Sequence, residues 1–208
     1  MQLFNTFFSL AAFAACLTPV LSAPVAEPNL DTTSLVVKRG ALSDTAQNCY
    51  NDVKKTCDGI IIKIDTAVDA KIDVDLATKI VADLEVIVTL IVQLGVDLEA
   101  KINASGLTVA DVKACVDIVI RLVGLCASIL LKIKAHLSAS VSVSVFAAVV
   151  LKLYACIKIV IDLCINVCLG KIGGLSVIDL TLVADLVVKL TACLTVFVNA
   201  CLALGVSI

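Results

Sequence analysis

Long apolar stretches, broken only at a few short zones, are the feature that most limits what this chain can fold into. The breakers are Ile102–Gly106, Ser138–Ser144 and Gly170–Ser176, with a weaker zone at Ala70–Asp75. They leave five segments, roughly 43–70, 74–102, 108–137, 145–169 and 177–204. Each is long enough for a substantial helix and too long for an ordinary strand. Charges inside them recur at helical spacing: Asp65, Asp69 and Asp73; Asp75, Lys79 and Asp83; Lys113, Asp117 and Arg121; Lys158 and Asp162; Asp185 and Lys189. Opposite charges four apart pair on a solvated helix face.

Two starts carry cap signals. Thr108 precedes Asp111 by three residues, and Ser176 precedes Asp179 by three. In each, a hydroxyl can accept an orphan amide hydrogen, and an acid sits where exposed amides favour negative charge. Gly170, Gly173 and Gly174 allow the preceding helix to end with positive φ. The competing reading is β. Val and Ile suit strands, and Ile72–Leu76, Leu131–Lys134 and Val141–Val145 alternate. Yet Asp58-Gly59 is the sole hairpin-type turn of the Asn-Gly or Asp-Gly kind. The segments therefore predict an all-α fold, a disulfide-stabilised bundle of about five long antiparallel helices. The segment from Leu107 faintly echoes the one from Leu180; in so restricted an alphabet this does not establish a repeat.

Residues 1–23 read as a secretory signal peptide: Leu3 to Leu21 is mostly apolar and uncharged, and small residues follow. Residues 24–39 read as a pro-segment ending in Lys38-Arg39, a dibasic pair suited to a furin-like protease. The mature domain is then 40–208. Cys16 leaves with the leader. Nine cysteines remain: Cys49, Cys57, Cys115, Cys126, Cys156, Cys164, Cys168, Cys193 and Cys201. In a secreted chain they predict disulfides. With up-and-down helices rising ~1.5 Å per residue, heights match for Cys115 with Cys164, Cys126 with Cys156, Cys49 with Cys168, and Cys57 with Cys193. Cys201 is left as the free thiol.

The chain is 61% apolar and 16% charged, with a formal charge of −2. Such values exclude a disordered tail and speak against nucleic acid as a partner, which requires a basic surplus. No GxSxG, HExxH, GxGxxG or phosphate-binding loop occurs. Cys164 and Cys168 are four apart on one helix and His136 is remote, so neither a metal nor another cofactor is expected. His136 ends a helix, where a cation suits free carbonyls. The chain reads as a non-enzyme. Asn103-Ala104-Ser105 is a glycosylation sequon in a predicted loop. From Leu190 to Ile208 no residue is charged; this stretch is either a membrane anchor or a helix buried by its neighbours.

An apolar excess of this size leaves apolar area outside a water-soluble core, and large exposed patches mark assembly, lipid or interface contact. The expected partners are other copies of the chain, lipid, membrane or a hydrophobic surface. The order of leader, short pro-segment, Lys38-Arg39 and hydrophobic cysteine-bearing domain resembles small secreted proteins of filamentous fungi. That resemblance covers the first 40 residues and the general composition. It implies a surface or cell-wall location, and a role in forming aerial hyphae or attaching hyphae to hydrophobic surfaces. Fungal hydrophobins share that role, but their adjacent Cys-Cys pairs are absent here. Saposin-like lipid carriers also combine disulfides with amphipathic helices; their six-cysteine framework is not matched.

Overall fold

A computed structural model describes residues 41–67, 69, 71–104, 107–170 and 177–208. The leader, the pro-segment with Lys38-Arg39, and the Ser176 cap lie outside the described residues. Five helices follow in order: α1 (Ala41–Asp65), α2 (Val74–Ala104), α3 (Val109–His136), α4 (Ser144–Gly170) and α5 (Val177–Leu204). Among the described residues the only β pairing is an isolated parallel bridge between Ile72 and Leu137. The alternating stretch Leu131–Lys134 is helical, and Val141–Val145 runs from a loop into the first turn of α4.

The apolar periodicity explains the helices. α2 buries Ala77, Ile80, Leu84, Ile87, Ile91, Leu94 and Leu98, and α5 buries Val183, Leu186, Leu190, Cys193, Phe197, Ala200 and Leu204. Both series step by three and four, a single stripe along a helix. α3 differs: 12 of its 28 residues are buried, on several sides of the cylinder. It is the central element.

Local signals place the ends. The Thr108 hydroxyl oxygen accepts from the Asp111 amide at 3.1 Å, as its spacing predicts. Thr108→Ala is expected to lower stability by about 1 kcal/mol, read as a lower urea midpoint with unchanged slope. Asp73 caps α2 by accepting from the Leu76 amide at 2.8 Å. The four-residue series Asp65, Asp69, Asp73 is thus no helical stripe: α1 ends at Asp65, Asp69 has φ 56°, and Asp73 lies before α2. α5 ends in a Schellman turn. Gly205 at φ 99° donates to Leu202 and Val206 donates to Cys201, each at 3.0 Å.

Successive helices reverse direction, yet the most extensive packing joins every second helix. Lys132 pairs with Asp65 at 2.8 Å, and Arg121 donates to Gln47 at 3.0 Å, so α3 runs parallel to α1. Lys152 pairs with Glu85 at 2.8 Å and Gly95 faces Val160, so α4 runs parallel to α2. α3 lies between α1 and α5 in one layer; α2 and α4 form the second. The expected bundle of antiparallel neighbours is therefore a two-layer stack with parallel helices side by side. Antiparallel contacts, including the thin α3–α4 seam, cross between layers. The echoing segments, α3 and α5, are parallel neighbours within the first layer.

The two ends of the stack differ. At one, the Ile72 amide donates to His136 at 2.8 Å and the Ser138 amide returns to Ile72 at 3.1 Å. Val141 and Val206 are buried there, and Gly205 lies against Val143. The bonds knit the α1–α2 connection to the α3–α4 connection, and the C-terminal turn packs against the latter at Val143. At the opposite end, a cavity of about 10 Å³ is lined only by apolar and thiol side chains.

Candidate functional site

The eight cysteines expected to staple the helices and Cys201 are all buried, and all nine are free thiols. The expected disulfides are not seen in this structure. The thiols serve as small apolar side chains within the core, as free cysteine commonly does. Position separates the expected pairs. Cys115 on α3 and Cys164 on α4 share the small cavity, and Cys115 is the leading cause of the raised Cys164 thiol. Cys126 on α3 is within electrostatic reach of Cys156 on α4. The other two expected pairs fail. Cys49 neighbours Cys156, not Cys168, and Cys57 neighbours Cys126, not Cys193. For Cys57 and Cys193 the reason is the layer order: α1 lies beside α3, and α3 separates it from α5. Cys201 sits in the last turn of α5, at the knitted end.

Burial pushes Cys49, Cys57 and Cys201 up to about 12, and Cys156 and Cys168 up to about 11. Protonated thiols of this kind are poor nucleophiles and poor metal ligands. Among the described residues, no group of three or more His, Cys, Asp or Glu side chains is arranged to hold a metal ion. His136 closes α3, and its carbonyl accepts the Ile72 amide. Asn103 is exposed in the last turn of α2, not in a loop. An open groove of mixed charge lies beside the α1–α2 connection, lined by Lys63, Lys71, Lys79, Asp73 and Asp75.

The chemistry of this molecule lies in its surfaces. Among the described residues no polar or charged side chain is buried. The ion pairs are peripheral. Lys54–Asp58, Lys158–Asp162 and Lys189–Asp185 lie within single helices, as the four-residue spacing implies for the last two. Such exposed pairs add little stability. Between them, large apolar side chains face outward: Ile159 is 63% exposed, Leu169 66% and Val188 66%. Val86, Val92 and Val96 do the same on α2.

Exposed hydroxyls turn inward on their own backbone. Thr56, Thr66, Thr78, Thr89, Thr191 and Thr195 each donate to the carbonyl four residues earlier, at 2.7–3.1 Å. A threonine bonded this way presents its methyl group outward and needs less from water. Composition counts threonine as polar, so this lowering of surface polarity escaped the sequence reading. Among the described residues, length and composition make three helices fit to cross a membrane: α3, Ser144–Leu169 of α4, and Thr181–Leu204 of α5. Only the last of these overlaps the uncharged stretch from Leu190 to Ile208.

No protein-family model, curated protein or solved structure matches the chain. The fold and its surfaces therefore carry the functional argument.

Proposed function

We propose that the mature chain is a secreted structural protein that adsorbs and self-associates at apolar–water boundaries, on the cell wall or another extracellular surface. One observation carries this reading. The core excludes every polar side chain among the described residues, while the outer faces keep large apolar groups between their charges. Helix packing of that kind depends chiefly on burial, and an oil, air or wax boundary satisfies the same apolar stripes without the partner layer. Backbone groups stay bonded inside each helix throughout. Transfer at ~25 cal/mol per Å² makes a 400 Å² patch worth ~10 kcal/mol before entropic costs. That is ample for adsorption.

Secretion after a leader, processing at Lys38-Arg39 and glycosylation at Asn103 belong to the same proposal, as do disulfides formed from the buried thiols. The resemblance to small secreted fungal proteins with surface roles supports it. Pendant-drop tensiometry tests the central claim. Sub-micromolar protein is expected to lower surface tension well below the value given by an ordinary globular protein at equal mass. Equal curves would overturn the reading.

The three membrane-length helices favour one further reading, an extracellular lipid-binding or membrane-active protein. Native mass spectrometry separates the two. Lipid-free oligomers support the coat, and a fixed lipid stoichiometry supports the carrier.

A further inference from the structure

We propose that Cys115 and Cys164 form a disulfide latch between the two layers, and that making or breaking it governs whether the bundle splays at an apolar boundary. The inference rests on the surface-active reading and adds its regulation. Its basis is the asymmetry of the stack. At one end the Ile72–His136 and Ser138–Ile72 backbone bonds and the buried Val206 tie the connections together. Cys115 and Cys164 stand at the other end, in the second turn of α3 and near the end of α4.

They line one small cavity with Leu42, Ile102, Val112 and Val167, so residues from all four of these helices converge there. Cys115 also leads the influences that raise the Cys164 thiol, as two sulfurs facing one cavity imply. This pair joins α3 to α4, whose direct contact is thin and crosses from one layer to the other. Splaying about the knitted end would draw these two sulfurs apart. A bond between them would prevent it.

The redox step balances with a small disulfide such as oxidised glutathione. A thiolate from one cysteine attacks it, giving a mixed disulfide and one glutathione; the second cysteine displaces the other. Two S–H bonds are replaced by one S–S bond, and the two electrons and two protons leave as two glutathione thiols. Because both sulfurs are buried, the reaction proceeds only when that end opens, so the latch closes on the motion it controls.

The test treats native full-length protein with oxidised glutathione and maps peptides without reduction. Adsorption rates of the oxidised and reduced forms are then compared at an air–water surface. A dominant Cys115–Cys164 link is expected, with adsorption slowed on the order of a hundredfold, as one structural disulfide implies. Dithiothreitol should restore the rate. Cys164→Ser should make adsorption indifferent to glutathione, whereas Cys168→Ser should keep the response. A dominant link from Cys115 to any other cysteine would overturn the latch, and so would equal rates for oxidised and reduced protein. If neither form adsorbs, the surface-active reading falls and takes the regulatory role with it, while a mapped Cys115–Cys164 bond shows that failure to be separate.

Discussion

Raising the pH through 9 is expected to unfold the reduced protein while its neutral-pH fold is stable. Seven buried thiols are held above their ordinary value of 9.0. Burial takes Cys49, Cys57 and Cys201 to about 12 and Cys156 and Cys168 to about 11, and raises Cys126 as well; the Cys115 hydrogen bond and then burial raise Cys164. In the unfolded chain these thiols ionise near 9, while the folded protein keeps their protons. The unfolded state then binds fewer protons, and stability falls as pH rises. Stability from these thiols is complete below pH 9 and is lost between 9 and the folded values of 11–12.

The slope is about 1.4 kcal/mol per thiol per pH unit once ionisation is well under way. A whole domain is stable by only about 5–15 kcal/mol. Seven thiols acting together over about two units, each only half effective, cost about 10 kcal/mol, comparable to the whole of that stability. The urea midpoint of reduced protein should therefore be level from pH 6 to 8, drop steeply above 9, and vanish near 11. Closing the Cys115–Cys164 latch removes Cys164 from these thiols and should soften the drop. A midpoint that stays level to pH 11 would refute the shared alkaline weakness.

Leu130→Asp should abolish cooperative unfolding, whereas Leu131→Asp beside it should leave the protein folded. Leu130 is fully buried on the central helix; Leu131 is 37% exposed. The core around Leu130 contains no polar side chain to receive a carboxylate. An unpaired buried charge costs several kcal/mol, by desolvation or by forced protonation. At Leu131 the carboxylate can reach water, and a change within about 1 kcal/mol is expected. Circular dichroism melts of the two variants decide the matter. Similar melts for both would mean that α3 is not enclosed on the side that Leu130 occupies.

Helix positions were legible because each boundary has a local cause. The expected segment 74–102 became Val74–Ala104, and 177–204 became Val177–Leu204. Thr108 announced its cap. Side-by-side order was not legible, since wide apolar faces on α3 and α4 allow several partners and only the assembled stack chooses. That is why Cys115 and Cys164 were correctly brought together while Cys57 and Cys193 were not. Antiparallel hairpins set the first pair, but the second depended on which helix lies beside α1. The role of Asp73 was missed for a related reason. Its spacing from Asp69 looks helical, yet the break after Asp65 resets the count.

Packing on the helix after next has a kinetic consequence. A chain whose sequence neighbours are also its main packing partners assembles from local hairpins. Here α1 must wait for α3 to be made, and α2 for α4, so the decisive contacts close loops of many tens of residues. Non-local contacts of that sort slow refolding relative to simple helical bundles of equal size. Until α4 arrives, the stripe of α2 has α1 alone to cover it, and the nascent chain carries the remainder in water for that interval.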